Sequence, residues 1–164
     1  MEKRKCLIFL GVLAVTALVF SGSLRLDWTN WDDNILVYEN PLVREARFID
    51  IFTKPADYNT YNPLVISSFA LEWKLVGDRP FLYHFDNLIL HLLCTGLVLL
   101  LFRRMGLSVW WSGVGALLFG IHPMRVESVA WITERKDVLY GFFICRLCSL
   151  IFVTLLPAKQ VIFC

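Results

Sequence analysis

The densest chemistry in this sequence lies in His122–Asp137, HPMRVESVAWITERKD, which sets one His, two Glu, one Asp and three cations between strongly apolar runs. Carboxylates beside Arg and Lys suit a phosphate-bearing lipid or a sugar donor, because the guanidinium fork matches phosphate oxygens. On these grounds Arg125, Glu127, Glu134, Arg135 and Lys136 are candidates for donor binding; a salt-bridged amphipathic connector is the plainer alternative. Pro123 is placed to start a short helix, on which Glu127, Trp131 and Glu134 would share a face. A second group is Asp32-Asp33, directly after Trp31. Two adjacent carboxylates can act as a general base, hold a divalent cation or cap a helix, and capping or plain solvation is the commoner use. A third group, His84, Asn87, His91 and Thr95, is spaced by three and four and so forms one polar stripe on a helix. Such a stripe turns inward, to hydrogen-bond between helices or to line a site. His84 and His91 are candidates for the second role, although two His seven apart make a poor metal pair.

The elements that must position these groups are apolar. The 164 residues are 57% hydrophobic and 15% aromatic, with a mean hydropathy of +0.61. A soluble domain of this size has too little interior to hide that much apolar surface. The net charge of +2 and the lack of a long basic run beyond the N-terminus argue against nucleic acid. Cys145-x-x-Cys148 has redox or zinc spacing, but it lacks a second Cys/His pair and lies in a lipid-like run, so all five cysteines read as packing residues.

Taken in order, the chain predicts an all-α polytopic membrane bundle of about four spans with a long interfacial outer loop. Residues 1–23 carry Lys3, Arg4 and Lys5 ahead of the apolar run Cys6–Phe20, the layout of an uncleaved signal anchor; the positive-inside rule puts that end in the cytoplasm. Residues 24–81 form an outer loop whose rings, from Trp28 through Tyr58 to Trp73, favour the bilayer surface. Within it, Tyr61–Val76 is a candidate surface helix with Pro63 in its first turn. A second span over 82–104 closes on Arg103-Arg104, which gives the same orientation as Lys3–Lys5. A third span, 107–121, is short and glycine-containing. Then come the outer loop 122–137 and a fourth span over 138–164, interrupted by Arg146 and ending on an apolar run.

Five motifs now stand in order: WDDN-x5-NP at Trp31–Pro41, Tyr61-x-Pro63-Leu64, Tyr83-His84-x2-Asn87-x3-His91, His122-Pro123-x3-Glu127-Ser128-Val129-Ala130-Trp131, and Arg135-x-Asp137. Together they resemble the N-terminal part of the transmembrane and tetratricopeptide-repeat-containing proteins and their bacterial relatives, GT-C type glycosyltransferases linked to protein O-mannosylation. The resemblance runs from about Leu24 to Phe143. It implies a sugar, possibly mannose in kind, moved from a polyprenyl- or dolichyl-phosphate donor to a protein or glycan acceptor, in the bacterial inner membrane or the endoplasmic reticulum. It implies an essential acid in the first outer loop, a position that Asp32 and Asp33 match, with Asp33 slightly preferred as base. Arg125, Arg135 and Lys136 would stabilise the departing phosphate. The resemblance also adds His122 and Asp137, which match motif positions, to the candidates for donor binding. No cofactor can be read beyond a divalent cation at Asp32 and Asp33. Family members also carry further spans and 34-residue helical repeats, so a truncated piece with little activity of its own is expected. A membrane scaffold or a transporter subunit is the alternative.

Overall fold

The computed structural model describes residues 2–57 and 61–155. Tyr58, one of the expected interfacial rings, and the apolar end 156–164 with Cys164 lie outside the described residues. Within them the fold is all-α: α1 (Glu2–Phe20), α2 (Pro41–Arg44), α3 (Phe48–Thr53), α4 (Pro63–Val76), α5 (Pro80–Arg104), α6 (Val109–Gly120), α7 (Arg125–Ala130) and α8 (Arg135–Leu155). Single helical turns at Ser21–Arg25 and Asn34–Tyr38 join α1 to α2.

Local chemistry sets most of the ends. The apolar run of α1 stops at Ser21-Gly22-Ser23, where the Ser21 and Ser23 hydroxyls donate back to the carbonyls of Leu18 (2.8 Å) and Phe20 (2.7 Å). The Asn40 side chain accepts the Leu42 amide at 2.9 Å and caps α2, with Pro41 next in line. Pro63 and Pro80 open α4 and α5, where a missing N–H costs nothing. Gly77 (φ +61°) ends α4 and Gly106 (φ +90°) follows α5, both in the left-handed region that favours glycine. One sequence expectation needs correcting: α7 ends at Ala130 and Trp131 is extended at φ −96°, ψ 121°. Glu127, Trp131 and Glu134 therefore do not share a helix face.

α5 is the hub and touches α1, α4, α6, α7 and α8. α8 runs beside it in the same direction. At one end Asn87 of α5 meets Arg135 of α8 (2.7 Å); at the other, Arg104 donates to the Ser149 carbonyl (2.6 Å) and also contacts its hydroxyl. α1 lies antiparallel, with Phe9 under Gly96 and Phe20 edge-on to His91 at 5.2 Å. Lys3–Lys5, Arg103, Arg104 and Arg146 thus gather at one end of the bundle, called here the basic end. The loops gather at the other, over a core of Val37, Val43, Ile51, Val65, Phe69 and Ile132.

Two helical stretches are long and apolar enough to cross a membrane, Glu2–Arg25 and Pro80–Arg104. Phe81, Phe85, Ile89, Leu93 and Leu100 form an exposed stripe down α5, a surface that belongs in lipid rather than water. The protein is therefore placed at a membrane. The twelve residues of α6 rise only about 18 Å, short of the roughly 30 Å hydrocarbon layer.

A tight crossing between three helices is at Gly120. A Cβ there would stand 2.6 Å from Thr16 Oγ1 and 2.9 Å from Thr95 Cγ2. Neither threonine can swing aside, because each is buried and its hydroxyl donates to its own helix, Thr16 to Val12 O and Thr95 to His91 O, both at 2.9 Å. Gly120→Ala should therefore destabilise the protein by about 1–3 kcal/mol, read as a lowered melting temperature in detergent. An unchanged melt would show that α6 can slide.

Candidate functional site

The two loops flanking the bundle meet at Asp33. Its side chain has 0% exposure; Oδ2 accepts the Thr29 amide at 2.8 Å and Oδ1 accepts the Thr133 amide at 3.2 Å. One carboxylate thus ties together chain segments a hundred residues apart. Burial pushes the Asp33 carboxyl above its ordinary value, while the bonds from Thr29 and Thr133 and the nearby His84 pull it back in part. Asp32, its neighbour in sequence, is half-buried rather than enclosed. Its charge reaches Lys136, whose ammonium pairs with Glu134 at 2.7 Å and also feels Asp137. Trp31 and Trp131 bring the same two loops together, ring to ring at 5.6 Å.

The remaining residues of the charged stretch divide by environment. His122 is exposed, and its Nδ1 accepts the Met124 amide at 3.2 Å, closing the turn before α7. Glu127 and Asp137 are exposed, and Asp137 accepts the Ser128 hydroxyl at 3.2 Å. Arg125 lies over the Phe119 ring at 5.0 Å. Arg135, in contrast, is 1% exposed and fully engaged inside the protein. Its Nη1 donates to Glu72 Oε2 (2.5 Å) and Ser68 Oγ (2.8 Å), Nε to Asn87 Oδ1 (2.7 Å) and Nη2 to Tyr83 O (2.9 Å). The guanidinium also lies 4.5 Å from the Phe69 ring.

The polar stripe of α5 is buried along its whole length and works mainly as a stitch. Asn87 donates to the carbonyls of Trp131 (3.1 Å) and Ile132 (3.3 Å) while accepting from Arg135. His91 pairs with Gly120 O at 2.8 Å between the Phe20 and Phe119 rings. His84 alone of the stripe lies close enough to Asp33 for their charges to couple. Among the described residues no group of three or more His, Cys, Asp or Glu is placed to hold a metal ion, and both oxygens of Asp33 already accept amides.

Glu72 was not singled out in the sequence. It is 3% exposed, and burial pushes its carboxyl up to about 8, against the pull of Arg135, with Asp86 adding to the rise. A carboxylate raised by folding binds its proton more tightly in the folded state. The stability contributed by Glu72 and Asp33 is present below their unfolded values and is lost as pH rises through the folded ones. For Glu72 that window runs from 4.5 to about 8. The melting temperature should accordingly be higher at pH 5.5 than at pH 8.5, and Glu72→Gln should flatten the difference. A melt that rises with pH over this range would contradict the assignment.

The fold and this loop face define an all-α membrane protein with carboxylates, cations and tryptophans gathered at one end. The chain is 36% identical over 141 residues to protein O-mannosyl-transferase TMTC1 of Mus musculus, covering 76% of this chain and 14% of that protein. It is 35% identical to the Homo sapiens TMTC1 over the same length, 76% of this chain and 15% of the relative. Protein O-mannosyl-transferase tmtc2 of Xenopus laevis is 30% identical over 139 residues, 79% of this chain and 17% of that protein. The chain is thus a homologue of the transmembrane and tetratricopeptide-repeat-containing protein O-mannosyl-transferases, and it spans 14–17% of the length of these relatives. No protein-family model and no solved structure matches it.

Proposed function

We propose that this chain supplies part of the active face of an integral-membrane glycosyltransferase, which moves a mannosyl group from a lipid-phosphate donor to a hydroxyl of a protein acceptor. The observation that carries the reading is the junction at Asp33, which sets Asp32, Lys136 and Glu134 on one face. An inverting transfer needs a carboxylate to take the acceptor proton and cations to stabilise the departing phosphate. Asp32 is the carboxylate with access, and Asp33 is the residue that positions it. Lys136, beside Asp32 and Asp137, faces the leaving phosphate; Arg125, over the Phe119 ring, with His122 and Glu127 completes the donor side in this reading. Arg135 and His91 act from inside, holding the helices that carry these groups.

The loop face is lumenal or periplasmic in this reading, and the basic end, with Lys3–Lys5 and Arg103-Arg104, is cytoplasmic. α1, α5 and α8 cross the bilayer, and α6 is a fourth, short crossing that needs its flanking residues and local thinning of the bilayer to complete it; α4 lies along the surface, with Leu64, Leu71 and Leu75 exposed.

The test is a hybrid: mouse protein O-mannosyl-transferase TMTC1 with residues 24–143 of this chain in place of its matching stretch. In membranes supplied with dolichyl-phosphate mannose and a Ser/Thr-rich peptide, the hybrid should mannosylate the peptide above the level of empty membranes. A stably inserted hybrid of native melting temperature that transfers nothing would overturn the proposal.

A further inference from the structure

A groove of about 560 Å³ runs down the lipid-facing side of the bundle between α1, α5 and α8, within the roughly 300–1,000 Å³ span of ligand sites. Its walls are apolar, among them Phe9, Leu13, Leu93, Gly96 and Phe142, and one charged side chain, Arg146, stands at its edge. Arg146 is exposed and has no hydrogen bond or ion pair among the described residues. A cation so placed is costly unless it reaches a headgroup or finds an anion.

Its depth follows from its neighbours. Ser149, one turn further along α8, takes the bond from Arg104 at the basic end of α5. Arg146 therefore sits about 4.5 Å toward the bundle centre from that contact, within snorkelling reach of the bilayer interface. Around it the basic end carries Lys3, Arg4, Lys5, Arg103 and Arg104 against one acid, Glu2. Arg103 and Arg104 are turned onto Leu107 O and Ser149, which leaves Arg146 as the cation at the groove itself.

We propose that this groove is a binding site for an anionic glycerophospholipid, with the phosphate on the Arg146 guanidinium and one acyl chain between α1, α5 and α8. A basic pocket between spans suits that headgroup, because the guanidinium fork pairs two phosphate oxygens. The site lies at the opposite end from Asp32 and takes no part in the transfer proposed above. It requires only that the chain be in a bilayer.

The experiment is native mass spectrometry of the full chain released from nanodiscs of equal phosphatidylglycerol and phosphatidylcholine. One phosphatidylglycerol per chain should be retained. Arg146→Gln should lower that retention at least tenfold and Arg146→Lys should restore part of it. Leu93→Trp, which fills the groove without touching charge, should also lower it. An unchanged melting temperature in each variant shows that the fold persists. Equal retention of the two lipids would overturn the proposal. So would loss on Lys3→Gln/Arg4→Gln/Lys5→Gln but not on Arg146→Gln, which would mean simple attraction to the terminus. A dimer that separates in Arg146→Gln would assign the groove to a second copy instead.

Discussion

Replacing Arg135 by Ala should cost the fold about 3–5 kcal/mol at pH 8.5, where Glu72 is charged, the usual penalty for breaking one half of a buried ion pair. The side chain holds α8 to α4 and α5 through four acceptors: Glu72, Ser68, Asn87 and the Tyr83 carbonyl. Without it Glu72 is left buried beside Asp86, with one oxygen, Oε1, already lacking a partner. Protonation softens that loss at low pH, so the penalty should be smaller at pH 5.5 than at pH 8.5. Arg135→Lys should recover little, since one ammonium cannot span an array of acceptors set for a planar fork. The double change Arg135→Met with Glu72→Met should cost less than Arg135→Ala, because no charge is then stranded. Chemical unfolding in mild detergent reads all three. A loss below 1 kcal/mol for Arg135→Ala would mean that water reaches the cluster and screens it.

This pair also shows what was legible in the sequence. Arg135 drew notice for its charge and its place in a motif, which pointed to a ligand phosphate; its partner was missed. The signal was present: Glu72 falls three residues after Phe69 and seven after Val65, on the apolar stripe of α4. An acid on a buried stripe requires a buried donor or cation. What no pattern in one sequence supplies is which cation, because Glu72 and Arg135 lie 63 residues apart. The spans were easier to read. Long apolar runs with basic ends specify helices by themselves, and α5 begins two residues before the expected span and ends with it at Arg104. The stripe from His84 to Thr95 followed from helical spacing alone, although spacing could not separate His91, locked onto Gly120 O, from His84, whose charge couples to Asp33. The supposed helix face of Glu127, Trp131 and Glu134 failed because Asp33 binds the Thr133 amide, which holds residues 131–134 out of the helix.

The same bond separates two carboxylates that the sequence leaves almost equal. In the hybrid enzyme, Asp32→Asn should lower mannosyl transfer by about 10²–10⁴-fold, the range lost with a general base, while the melting temperature stays unchanged. Asp32 is half-exposed, and its charge acts on Lys136 across a solvated face, where such an interaction is worth little to the fold. Asp33→Asn should show the reverse emphasis. An amide offers one acceptor oxygen where the Thr29 and Thr133 amides need two, and losing a hydrogen bond to a charged acceptor costs about 1.5–3 kcal/mol. Its melt should fall and its transfer should fall with it. Part of the activity should return at a temperature well below the new melt, because the base itself is still in place. Normal turnover by Asp32→Asn, together with a cold, well-folded and inactive Asp33→Asn, would exchange the two roles. Asp33 would then be the base, and the raised affinity of its carboxyl for a proton would serve the transfer rather than record its burial.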